Sequence, residues 1–171
     1  MQTYPYFTNS GTYRVKVLAV RPLGLDTGRP ALVLDLEVLR VEAASHNPAG
    51  HEPKLDRPEP GARRSVYLPM RTHMQDEQHV ETVLRLRGAV EGILPGLDAD
   101  TLAESERPAT ALATALLANA AGCTPLVTVS VQKGKPPLIR FGHVKAIAIL
   151  RALHVEPNAE NIRRVEEHLD D

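Results

Sequence analysis

The sequence predicts a mainly β domain: a five-stranded barrel with helices inserted between its third and fourth strands and one more helix at the end. Three observations predict it. Short segments early and late in the chain alternate apolar and polar residues, the middle switches to helical spacing, and charge separates sharply between the two kinds of segment.

In the first strand, Gly11-Thr12 leads into Tyr13–Val20, where Tyr13, Val15, Val17 and Ala19 alternate with Arg14 and Lys16. A period of two places the two sets on opposite faces. Turn-forming residues fill Pro22–Pro30, and the β-branched and leucine run Leu32–Val41 follows, so the two strands form a hairpin. From Glu42 to Arg64 prolines, histidines and charges recur without period, which predicts a long flexible loop. The third strand, Ser65–Pro69, ends at a proline that cannot donate to a ladder.

Helical spacing then takes over. Thr72 with Gln75 has the form of a capping box, and Val83, Leu86, Val90, Ile93 and Leu97 mark the apolar stripe of a helix from about His73 to Leu94. The four-residue spacing of Gly88 and Gly92 permits a close approach by another backbone. Asp98 or Asp100 caps a short second helix, and Pro108 opens an alanine-rich third that stops at Gly122. Leu126–Val131 alternates again, Lys133–Pro137 turns the chain, and Leu138–Val144 runs back as the fifth strand. A linker over Leu150–Pro157 leads to a last amphipathic helix with Ile162, Val165 and Leu169 on one face. Residues 1–150 thus form one domain, with the loop at 42–64 and the helical insert at 72–121, and residues 151–171 are linker and acidic helix. Three strands, a helix and a closing hairpin is the chain order of the OB fold, whose hairpin loops flank a ligand face.

Composition narrows the functional classes. The 171 residues are 43% hydrophobic and 24% charged, which excludes a wholly disordered or collagen-like chain. No apolar run is long enough to cross a bilayer, and the N-terminus does not read as a signal peptide, so a cytoplasmic setting without membrane contact is expected. The lone Cys123 has no internal partner and reads as a buried filler. Among the histidines, His46 and His51 fall in the proline-rich loop and His73 and His79 on different helix faces, so no metal or other cofactor is expected. Ser130-Val131-Gln132-Lys133 matches an acyl-enzyme string but sits at a strand end, and phosphate-loop and nucleophile-elbow motifs do not occur. The sequence therefore predicts a protein that is not an enzyme.

The formal net charge of −1 conceals a partition. Residues 1–71 together with 122–155 carry +8, and the helical insert with the C-terminal segment carries −9. A positive barrel suits a polyanion, because phosphate contacts supply most sequence-independent affinity. Arg14, Lys16 and Arg140 lie on strands, Arg21 and Arg29 border the first hairpin loop, Arg63 and Arg64 adjoin strand three, and Lys133 and Lys135 lie in the last hairpin loop. These are the candidate phosphate-holding residues, with Tyr67 and Phe141 as stacking platforms and Tyr13 as core. The same partition also fits a structural or assembly protein that self-associates through its oppositely charged halves.

The segments Gly11–Val17, Leu32–Val38, the mid-chain helix, and Leu126–Val131 followed by Lys133-Gly134-Lys135 resemble small phage-encoded OB-fold proteins often assigned to single-stranded DNA binding. The resemblance spans roughly residues 10 to 145; the proline-rich loop and the scarcity of aromatics depart from it. It implies a replication or recombination accessory protein that coats single strands, DNA or RNA, in a phage-infected or prophage-bearing bacterium. The acidic end, Glu166–Asp171, is similar in charge to the partner-recruiting tails of bacterial single-strand-binding proteins, and its predicted helical form suits a docked helix or an oligomer contact.

Overall fold

The computed structural model describes residues 4–24, 30–44, 58–70, 76–132, 135–142, 149–156 and 159–169. Its centre is one five-stranded antiparallel sheet. β1 (Gly11–Leu23), β2 (Ala31–Ala44), β3 (Arg63–Pro69), β4 (Leu126–Gln132) and β5 (Lys135–Phe141) lie in the order β3-β2-β1-β4-β5. Among the described residues β3 and β5 do not pair, so the sheet is open where a closed barrel would join them. The expected mixture of strands and inserted helices is present.

β1 is long and irregular. It pairs with β2 along its whole length and with β4 only from Gly11 to Arg14, and its register with β2 shifts three times. Bulges of this kind bend and twist a strand. The last shift, between Val17 and Ala19, overturns the simple alternation. Val20 turns to the core in place of Ala19, which instead sits opposite Asp35 on the other face.

The inner face is apolar throughout: Tyr13, Val15 and Val17 from β1, Leu32, Leu34, Leu36 and Val38 from β2, Val66 and Leu68 from β3, and Val127 and Val129 from β4. Burying each of the larger side chains contributes about 1.5–3 kcal/mol. Against this face pack α1 (Asp76–Ile93) through Leu86, Ala89, Val90 and Ile93, and α3 (Pro108–Asn119) through Leu112, Ala113 and Leu116. Between them the short α2 (Ala99–Ala103) is capped by Asp98, whose carboxylate accepts from the Asp100 and Thr101 amides and the Thr101 hydroxyl. The Thr101 bonds, side chain first, hold that carboxyl below its ordinary pKa. Pro108 opens α3 as the sequence predicts.

Gly92 is where helix and sheet meet most closely. A Cβ there would overlap the Phe141 carbonyl and lie 2.8 Å from the Gly142 nitrogen, and Gly142 itself has φ +82°. The backbone approach expected of Gly88 and Gly92 therefore occurs at Gly92 alone, since nothing lies within 4 Å of a Cβ at Gly88.

Several boundaries differ from the sequence reading, the first at β1, which runs on through Pro22 and Leu23 where the turn is expected. β5 begins at Lys135, so Pro136 and Pro137 belong to a strand and not to the turn; β5 is an edge, where a missing N–H need not break a ladder. The segment expected as a 42–64 loop has strand at both described ends. The expected linker is partly structured: residues 149–152 are helical, and Leu150 packs on Ile162 and Val165 of α4 (Ala159–Leu169) as a small separate core. That turn ends at His154, a non-glycine residue with φ 58°, where Val155 N–H reaches back to the Leu150 carbonyl. The Thr72 and Gln75 capping box and the histidines 46, 51 and 73 lie outside the described residues.

Candidate nucleic-acid interface

The outer face of the sheet collects the polar residues that the inner face excludes, and the strand register fixes their neighbours. Lys16 of β1 lies opposite Glu37 of β2, which lies opposite Arg63 of β3. In the next row are Ala19, Asp35 and Ser65; Arg21, Val33 and Tyr67 follow. On the other side of β1, Thr12 faces Thr128 of β4, which faces Arg140 of β5. Arg14 lies opposite Arg40, a basic residue of this face that the sequence reading missed because a shift in register, not alternation, places it there.

Ion pairing divides these cations into two groups. The Arg21 guanidinium grips Asp35 with two hydrogen bonds, 2.8 and 3.2 Å, and the Ser65 hydroxyl donates to the same carboxylate at 2.8 Å. Asp35 is only 6% exposed and Ser65 is buried, while Arg21 stays partly exposed; the hydrogen bond to Asp35 holds Arg21 above its already high pKa against the opposing effect of burial. Arg14 donates to the Thr124 carbonyl at 3.0 Å and lies 3.9 Å from Glu42. Arg63 is shared between Tyr4 and Glu37, and Arg64 donates to the Arg63 carbonyl. By contrast, Lys16 and Arg140 are exposed and make no ion pair among the described residues.

The remaining candidates separate cleanly. Tyr67 is 41% exposed on the outer face beside this basic set. Phe141 is 6% exposed and belongs to the core, so it offers no ring face for stacking; it shares a face with Ile139 and lies opposite the core residue Val127, which turns it inward. Lys135 starts β5, and its side chain, like Arg29 and Lys133, lies outside the described residues. The structure thus gathers Arg14, Lys16, Arg21, Arg63, Tyr67 and Arg140 on one face.

An aromatic outside the predicted set of site residues completes this surface. Tyr4, in the segment before β1, lies beneath the Arg63 guanidinium, 5.7 Å from ring centroid to Cζ, and its hydroxyl accepts from Arg63 at 3.0 Å. That hydrogen bond is the main reason the Arg63 pKa is raised. No periodicity links Tyr4 to Arg63, so only the folded chain brings them together.

A second concave region, of about 260 Å³, lies between α1, α2 and residues 151–156. Most of its charged lining is already engaged: Arg151 donates to Glu91 at 2.6 Å, Arg87 of α1 pairs with Glu91 and Asp100, and Asp98 caps α2. Among the described residues no group of three or more histidine, cysteine, aspartate or glutamate side chains could hold a metal ion, and no helix is long and apolar enough to cross a membrane. No protein-family model matches the chain, and no curated protein matches it.

Proposed function

We propose that the chain is a non-catalytic OB-type protein that binds single-stranded nucleic acid, DNA in the first instance, on the outer face of its sheet. The observation that carries this reading is the basic face itself: Lys16 and Arg140 exposed and without ion-pair partners among the described residues, beside the paired Arg14, Arg21 and Arg63 and the exposed ring of Tyr67. The strand order supports it, because β3-β2-β1-β4-β5 is the order of an OB barrel opened between its third and fifth strands. Most of the affinity would come from phosphate contacts and little from stacking, since the face offers few rings. A role in phage or bacterial replication or recombination is the setting this reading fits, with the cytoplasm as its compartment.

Fluorescence titration with oligo-dT at several salt concentrations tests the proposal. Binding at low salt should weaken steeply as salt rises, and Lys16→Ala and Arg140→Ala should each reduce the salt slope by about 0.7, the value for one lost phosphate contact on a single strand. Absence of binding at low salt, or binding indifferent to salt, would overturn it.

One observation favours a second reading, self-association. Val80 and Leu84 are exposed one turn apart on α1, beside the acidic Glu81, and could meet the basic face of another copy. Salt-sensitive oligomers in light scattering, without affinity for oligo-dT, would favour it.

A further inference from the structure

The segment that carries Tyr4 is anchored in the core by Phe7. Phe7 is buried and stacks on Tyr13 with ring centroids 5.3 Å apart, and the Tyr13 hydroxyl donates to the Asn9 and Ser10 carbonyls at 3.1 and 3.2 Å. The Pro5 carbonyl accepts from Ser65 N–H at 3.0 Å, Tyr4 meets Arg63, and Tyr6 is exposed.

These contacts fall on the outer face and free edge of β3. Even-numbered residues of that strand bond toward β2, as Ala62 does with Val38 and Met70 with Pro30, so the main-chain groups of Arg63, Ser65 and Tyr67 point away from the sheet. The Pro5 carbonyl takes the middle one. Tyr4 meanwhile gives Arg63 the two things a nucleotide would give it: an aromatic face for the guanidinium plane and an oxygen acceptor within hydrogen-bond reach.

We infer that the N-terminal arm is a built-in occupant of the binding face, with Tyr4 seated where one nucleotide of a single strand binds, its ring in the place of a base and its hydroxyl in the place of a phosphate oxygen. The inference rests on the nucleic-acid reading above and adds to it a position and a means of control. Binding requires Tyr4 to swing out about the Phe7 anchor, which stays buried. The apparent affinity is then the intrinsic affinity reduced by the fraction of molecules whose arm is lifted. Anything that holds the arm down weakens binding, and anything that captures the exposed arm strengthens it.

The test compares the intact chain with its Tyr4→Ala and Tyr4→Phe variants, using fluorescein-labelled oligo-dT and anisotropy at fixed low salt, with thermal melts to establish that each variant folds. Tyr4→Ala should bind oligo-dT roughly fivefold more tightly than the intact chain, the weight of one exposed cation–π contact with its hydrogen bond. Tyr4→Phe, which keeps the ring and loses the acceptor, should fall between. An intact chain that fails to bind while Tyr4→Ala binds would support the inference still more strongly. If both bind and Tyr4→Ala is equal or weaker, the arm is not an occupant, and the nucleic-acid reading survives without it. If neither binds, the nucleic-acid reading fails and the inference falls with it.

Discussion

The two faces of the sheet obey different physical rules. On the inner face every strand contributes side chains of one kind, and Leu34, Leu36, Val15 and Val17 meet α1 and α3 with no polar atom to satisfy. Cohesion there follows apolar area and packing, and the tightest point is a backbone contact, Gly92 against Phe141 and Gly142. On the outer face cohesion comes from discrete pairs, each needing its partner in place: Arg21 with Asp35, Arg63 with Tyr4, Arg14 with the Thr124 carbonyl. The inner face therefore specifies the fold. The outer face holds some of its cations in place and leaves others available.

The sharpest way to break this contrast is to insert one methyl group at the inner contact. Gly92→Ala should destabilise the protein by about 3 kcal/mol, because α1 must move off β5 to admit a Cβ, and chemical denaturation reads the loss. A variant within about 1 kcal/mol of the parent would mean that the contact is slack. Next in size is Asp35→Ala on the outer face. Removing this carboxylate leaves the Arg21 guanidinium and the Ser65 hydroxyl without their shared acceptor, at a cost of about 2 kcal/mol. A neutral result would show that the outer face contributes nothing to stability. Smaller and opposite in sign is Gly88→Ala, one helical turn from Gly92 but open to space, which should stabilise by about 0.8 kcal/mol through helix propensity alone. Smallest of all, Lys16→Gln should leave stability within about 0.5 kcal/mol of the parent while weakening oligo-dT binding, as expected for an exposed cation that pairs with no described residue. A large loss of stability would place Lys16 among the structural residues.

Much of the inner face was legible in the sequence because burial leaves a local signature. Tyr13, Val15 and Val17 alternate, Leu86, Val90 and Ile93 recur at helical spacing, and each set lies in the core. What escaped depended on partners distant in sequence. The shift after Val17 exchanges Ala19 for Val20 and brings Arg21 beside Asp35, and a bulge is invisible to a count of alternating residues. Pro136 and Pro137 resemble a turn until the strand order places them on an edge. Leu150 looked like part of a linker because its partners Ile162 and Val165 lie beyond the turn at His154. Phe141 is read correctly only once its strand is paired with β4, since an isolated aromatic in a basic hairpin suits stacking as well as core. The outer face was legible as a set of charges but not as a set of pairs.

The prolines at the start of β5 have a consequence for how such sheets grow. Two successive residues without an N–H leave that margin unable to offer an unbroken row of donors, so another strand cannot zip along it. At the opposite margin, that of β3, the Pro5 carbonyl already occupies the Ser65 amide. The sheet thus has one outer margin interrupted by proline and the other capped in part by the segment before β1, two devices that hinder the pairing of a further strand at those places.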